Sequence, residues 1–126
     1  MTKILVIEDQ EIVRANILEF LTEEGYNAVG FDRGFPAMMW AFKNVPDLII
    51  CDIAMPEMDG YSVLSQLRQS SAMKKVPFIF LTAKADKSSI YEGMCLGADD
   101  YVTKPFRPAK LLELIEYRLK MAHLYR

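Results

Sequence analysis

The chain is short of cysteine and histidine. Among its 126 residues are two cysteines and one histidine. Cys51, Cys95 and His123 do not make a zinc site. Cys51 falls inside an apolar run, so a buried free thiol is expected, as suits a reducing cytoplasm. Cys95 is expected to pack along a helix, and His123 to be exposed. No apolar run approaches the roughly 20 residues of a membrane span. Met1-Thr2-Lys3 leads straight into a strand-like segment and lacks the apolar region and cleavage site of a signal peptide. A cytoplasmic protein without membrane contact is the expectation. Net charge is −2 and no arm of clustered Lys and Arg stands out, so nothing calls for direct nucleic-acid binding. Repeats, low-complexity tracts and linkers are also missing. With 52% hydrophobic and 25% charged residues, the composition is that of one globular domain filling residues 1–126.

What is present centres on Pro46-Asp47-Leu48-Ile49-Ile50-Cys51-Asp52-Ile53-Ala54-Met55-Pro56. An apolar run bounded by Pro and Gly signals reads as a strand buried on both faces of a parallel sheet. Asp52 ends it, on the side where α/β sheets bind ligands. Strands and helices alternate five times around this run. Strands are expected at Lys3–Ile7, Tyr26–Phe31 (weaker, a candidate edge), Asp47–Cys51, Val76–Leu81 and Asp99–Val102. Helices are expected at Glu11–Glu24, Pro36–Asn44, Gly60–Gln69, from an Asp86 cap to about Leu96, and from Pro108 toward the C-terminus. Gly25 and Gly97 stand in C-cap positions. The alternation predicts an α/β, flavodoxin-like (βα)5 fold. Its five-stranded parallel sheet would run in the order 2-1-3-4-5, with a crevice between the ends of strands 1 and 3.

Each strand then delivers a polar residue to one edge: Glu8 and Asp9, Asp52, Thr82, and Lys104. Three close carboxylates need a cation or split pKa values. An all-oxygen site with few protein ligands suits Mg²⁺, which keeps waters and accepts a phosphoryl oxygen. A hydroxyl and an ammonium beside it supply further phosphoryl contacts. Phosphoryl transfer to a carboxylate follows, with Asp52 as nucleophile. Singly, Asp9 could be a helix cap, Thr82 a turn residue and Lys104 a solvated charge; their joint placement favours the site. Asp59 is expected to cap the third helix.

Glu8-Asp9, Asp52…Met55-Pro56…Met58-Asp59-Gly60, Thr82-Ala83, Gly97-Ala98-Asp99-Asp100-Tyr101 and Lys104-Pro105-Phe106 occur in this order. Together they resemble the receiver domain of two-component response regulators, the CheY-like family, and the resemblance covers a core over about 3–121. The resemblance implies that Asp52 accepts phosphate from a phosphohistidine on a sensor histidine kinase or phosphotransfer protein. It implies Mg²⁺, or Mn²⁺ in its place, on Asp9, Asp52 and the Ala54 carbonyl, with Glu8 acting through water. Ala54, Thr82, Ala83 and Lys104 would surround the phosphoryl group. Thr82 and Tyr101 would be the switch pair, although Tyr101 also fits a plain core-edge tyrosine. The Lys104–Pro105 peptide is expected to be cis. The switched surface, helix 4, strand 5 and helix 5, would be read by an output domain or target protein. The domain would be a phosphoacceptor, catalysing only its own phosphorylation and slow dephosphorylation. Ala54 cannot position an attacking water, and Lys84 is a poor general base or a plain solvent charge, so the phosphoryl group is expected to be long-lived.

A flavodoxin-like FMN binder would need a Ser/Thr/Gly-rich loop where Glu8-Asp9 stands. An aspartyl phosphatase usually wants a second Asp where Ala54 stands. A pure interaction module would have lost site residues, and none is missing. Two apolar stripes are left over. Phe35, Met39 and Phe42 form either an exposed patch on the second helix or part of a rotated, more buried face. Leu114, Tyr117, Met121 and Leu124 form either a short coiled-coil seam, usable for a homodimer or as the start of a signalling helix toward an output domain, or an exposed amphipathic end.

Overall fold

The computed structural model describes residues 1–83 and 87–124. Lys84 and Asp86 lie outside the described residues. Ten elements alternate: β1 (Lys3–Ile7), α1 (Glu11–Glu23), β2 (Asn27–Phe31), α2 (Gly34–Lys43), β3 (Leu48–Asp52), α3 (Gly60–Leu67), β4 (Phe78–Thr82), α4 (Lys87–Cys95), β5 (Asp100–Thr103) and α5 (Pro108–Leu124). The strands form one parallel sheet in the order β2-β1-β3-β4-β5, the flavodoxin-like topology expected.

Burial follows the two-residue period of the strands. Leu5, Ile7, Ile49, Cys51, Phe78 and Phe80 pack on one face with Ala37, Met38 and Ala41 of α2 and Val63, Leu64 and Leu67 of α3. Ile4, Val6, Leu48, Ile50, Ile79 and Leu81 pack on the other with Ile17 and Leu21 of α1 and Leu111 and Ile115 of α5. Every residue of β3 and β4 is buried, whereas β2 at the edge is only partly so. A central parallel strand covered by helices on both faces has no wet side, which is why its sequence is a continuous apolar run.

The ends of the elements shift by a residue or two from expectation. β3 and β4 each take in one more residue, so Asp52 and Thr82 are the last strand residues. Asp52 stands in register with Leu81, and Thr82 with Thr103. Backbone pairing continues past the last apolar side chain because the ladder is indifferent to side-chain polarity. α2 starts at Gly34 rather than Pro36, which occupies the first turn where its missing N–H costs nothing. Gly25 (φ 93°) and Gly97 (φ 107°) end α1 and α4 in left-handed geometry. Tyr26 N donates to Leu21 O and Ala98 N to Gly93 O, closing the 6→1 bond of a Schellman motif at each. Asp59 caps α3, accepting from Ser62 N at 2.9 Å. Cys51 is a buried free thiol. Cys95 is exposed, against the expectation of packing: Gly93 is buried and faces the sheet, which turns Cys95 outward. His123 is exposed as expected. No described helix is long and apolar enough to cross a membrane.

Candidate functional site

The parallel sheet brings the C-terminal ends of β1, β3, β4 and β5 to one edge. Glu8 and Asp9 leave β1 there, and Asp52 ends the neighbouring β3. Carboxylate oxygens of Glu8, Asp9 and Asp52 lie within 4.8 Å of one another. Glu8 is fully buried, Asp52 is 5% exposed and Thr82 3%. Gln10, not Asp9, is the N-cap residue of α1, and its side chain makes no capping bond. Asp9 is therefore not the α1 cap and stands with the cluster.

Lys104 enters from the end of β5. Its backbone N donates to Thr82 O at 2.8 Å, and the Lys104–Pro105 peptide is cis. The ammonium reaches Glu8 Oε1 at 2.6 Å and Asp52 Oδ2 at 3.3 Å. The first contact is an ion pair without hydrogen-bond geometry, so buried Glu8 Oε1 has no hydrogen-bond donor aligned on it. Gln10 N donates to the other oxygen, Oε2, at 3.1 Å.

One ammonium among three carboxylates leaves the cluster short of positive charge. Burial, then the charge of Glu8, pushes Asp52 up from 3.8 to about 7, against the opposing pull of Lys104. Burial by itself would lower Lys104, but its contacts with Glu8 and Asp52 win, and the ammonium is held above its usual range. Burial and the neighbouring Asp52 and Glu8 hold the Cys51 thiol well above its usual value, hence protonated and inert. An all-oxygen donor set and surplus negative charge fit a hard divalent cation.

The remaining expected residues take these places. Ala54 is exposed in the loop after β3. That loop is held by Ile53 N to Leu81 O and Gly60 N to Ile53 O, at 3.1 and 2.8 Å. Thr82 is buried at the end of β4, and Ala83 follows it, exposed. Tyr101 stands in β5 opposite Phe80 and is 38% exposed. One contributor was not anticipated. Arg14, one turn into α1, donates from Nη1 to the Glu8 carbonyl at 2.9 Å. A cation one turn into the helix after an acidic pair is the signal that could have found it. A cavity of about 790 Å³ lies at the opposite end of the strands, beside Pro46, Pro77, Arg118 and Met121, and contains none of these carboxylates.

Residues 4–116 match the family model for the response regulator receiver domain. The chain is 39% identical over 118 residues to the transcriptional regulatory protein RprY of Bacteroides fragilis, covering 94% of this chain and 49% of that one. It spans about half the length of the curated relatives it matches. Chemotaxis protein CheY4 of Vibrio cholerae superposes with a TM-score of 0.89 at 31% identity, covering 93% of this chain and 98% of that one. The receiver domain of a sensor histidine kinase from Pseudomonas aeruginosa PAO1 gives 0.88 at 29% identity, with 94% and 98% covered; that structure holds a magnesium ion in its active-site cleft. This chain belongs to the response regulator receiver domain family of two-component systems.

Proposed function

We propose that this domain is a phosphorylation switch in which Asp52 accepts a phosphoryl group. The donor is a phosphohistidine on a sensor histidine kinase or phosphotransfer protein, or a small phosphodonor. The observation that carries the proposal is the cluster of Glu8, Asp9 and Asp52 within 4.8 Å, with the Lys104 ammonium 3.3 Å from Asp52 Oδ2. Asp9, Asp52 and the Ala54 carbonyl would hold Mg²⁺ (or Mn²⁺), with Glu8 acting through water, and the ion would supply charge neutralisation and a contact for a phosphoryl oxygen. Ionised Asp52 attacks the phosphorus, an O–P bond forms, and the N–P bond breaks with its electron pair left on the imidazole. Lys104, the Thr82 hydroxyl and the Ala83 N–H bind phosphoryl oxygens and stabilise charge in transfer. The ammonium already facing Asp52 needs little reorganisation for this role.

Phosphorylation then draws Thr82 toward the phosphate and Tyr101 inward, reshaping the surface of α4, β5 and α5. An output domain, a target protein or a second copy packed through Leu114, Tyr117, Met121 and Leu124 reads that surface. The domain itself contacts neither nucleic acid nor membrane in this reading, and a cytoplasmic setting suits it. It turns over no external substrate beyond its own modification and slow loss of phosphate. Ala54 offers no group to orient water, so the phosphoryl group outlasts the scale of seconds.

Intact mass after incubation with acetyl phosphate and Mg²⁺ tests the reading. One phosphate adduct is expected on the wild type and none on Asp52→Ala. Adducts on both, or on neither, refute the assignment. Loss of the adduct within seconds of removing the donor would contradict the role given to Ala54.

A further inference from the structure

A groove of about 550 Å³ runs between α1 and the segment that joins β5 to α5. Val13, Ile17 and Phe20 line one side, and Phe106 and Leu111 the other. Lys104 and Ala83 also line it. The same Lys104 ammonium sits 3.3 Å from Asp52 Oδ2 and 2.6 Å from Glu8 Oε1. An apolar trough thus adjoins a cation that faces the phosphoacceptor. Its volume is that of a small-molecule site, and it has the expected make-up of apolar walls with a few polar groups. The carboxylate cluster makes no use of those walls.

We propose that this groove is a subsite for the carrier half of a small phosphodonor, and that the donor class it selects is an acyl phosphate with an aromatic acyl group. The inference rests on the phosphoacceptor reading of Asp52. The donor is an amphipathic anion. Its phosphoryl dianion matches the Lys104 ammonium, and its ring matches the near end of the trough, lined by Val13 and Phe106. An acetyl group is too small to use both walls. The step balances without a further reactant. An Asp52 carboxylate oxygen bonds to phosphorus, the bond from phosphorus to the acyl oxygen breaks, and its electron pair leaves on the aromatic carboxylate. No proton or redox partner is required. Apolar burial of the carrier lowers the barrier only for donors that have a ring, so the groove acts on donor choice and not on the transfer itself.

Labelling rates with benzoyl phosphate and acetyl phosphate, at equal subsaturating concentrations with Mg²⁺, decide the matter. Each rate is divided by the same donor's rate toward a soluble nucleophile, which removes intrinsic reactivity. The expected ratio is about tenfold in favour of benzoyl phosphate, the selectivity of a ring partly buried in an apolar trough. Asn16 is exposed on the rim, so Asn16→Trp fills the groove from a position that α1 does not need for packing. That variant and Phe106→Ala are expected to bring the ratio to about one, with circular dichroism unchanged. Phenylphosphonate, which cannot transfer its phosphoryl group, should shift the amide resonances of Val13 and Ile17 in the wild type and not in Asn16→Trp. Equal normalised rates for the two donors, or a preference that survives Asn16→Trp, would overturn the subsite alone. No labelling of Asp52 by either donor would overturn the phosphoacceptor reading and the subsite with it.

Discussion

Asp52 is a carboxylate held against its preference. Burial and the Glu8 charge lift it to about 7 from 3.8. A folded-state value above the unfolded one stabilises the fold fully below about pH 4, and that contribution is lost as the pH rises through 7. Above pH 7 the ionised Asp52 therefore strains the metal-free protein. Solvent reaching the cluster screens part of the cost, leaving on the order of 1–2 kcal/mol. Asp52→Asn should accordingly raise the metal-free Tm at pH 8, and the gain should shrink toward zero near pH 4. Mg²⁺ should raise the wild-type Tm at pH 8 far more than that of the variant. Thermal melts at the two pH values check this, and no gain at pH 8 would contradict the electrostatic picture. The acidic pair, Asp52 and Lys104 were each legible as residues. What was not read was the 2.6 Å approach of the Lys104 ammonium to Glu8 Oε1 or the Arg14 bond to the Glu8 carbonyl. Both depend on where a side chain ends, not on what it is.

At the scale of elements, α3 sits unusually close to the end of β3. A Cβ at Gly60 would collide with the Asp52 carbonyl oxygen and come within 2.9 Å of Ile53 Cα. Gly60→Ala must therefore push the start of α3 away from the strand end that carries Asp52. It should cost about 2 kcal/mol or more by denaturant melts, as overpacking does, and slow labelling by acetyl phosphate. The α2 stripe is settled in one respect. Phe35, Met39 and Phe42 are 61, 44 and 45% exposed, while Ala37, Met38 and Ala41 are buried. Helical periodicity identifies two apolar faces on this helix but does not say which one the sheet takes; the smaller side chains win because α2 lies close against the core. Met39→Glu with Phe42→Glu should leave the unfolding free energy within about 1 kcal/mol of wild type in denaturant melts, since surface changes cost little. Unfolding of that double variant would show the stripe to be part of the core. On α5, Leu111 and Ile115 are buried as the period implies, and Tyr117 and Leu124 stay exposed on the second stripe.

At the scale of the molecule, the topology was legible because a parallel sheet leaves so few arrangements. Two strands with continuous apolar runs had to be central, the weaker β2 had to be an edge, and right-handed crossovers did the rest. The same constraint assembles the site: every βα turn opens on one edge, so residues far apart in sequence converge without any local signal. Asp9 and Lys104 show it. One could have been a helix cap and the other a surface charge, and only the strand order puts them beside Asp52. Strand ends were less legible, and Asp52 and Thr82 turned out to close their strands and not to follow them. Cys95 was misjudged because a helix with one small buried face can turn almost any other residue outward. The central claim is that this convergence makes Asp52, and no other residue, the phosphoacceptor. Reductive trapping tests it most directly: borohydride converts an aspartyl phosphate to homoserine, which peptide mass spectrometry locates. After acetyl phosphate and Mg²⁺, homoserine should appear at position 52 alone; homoserine at position 9 or 59, or a phosphate that survives reduction as an ester on Thr82, would contradict the account.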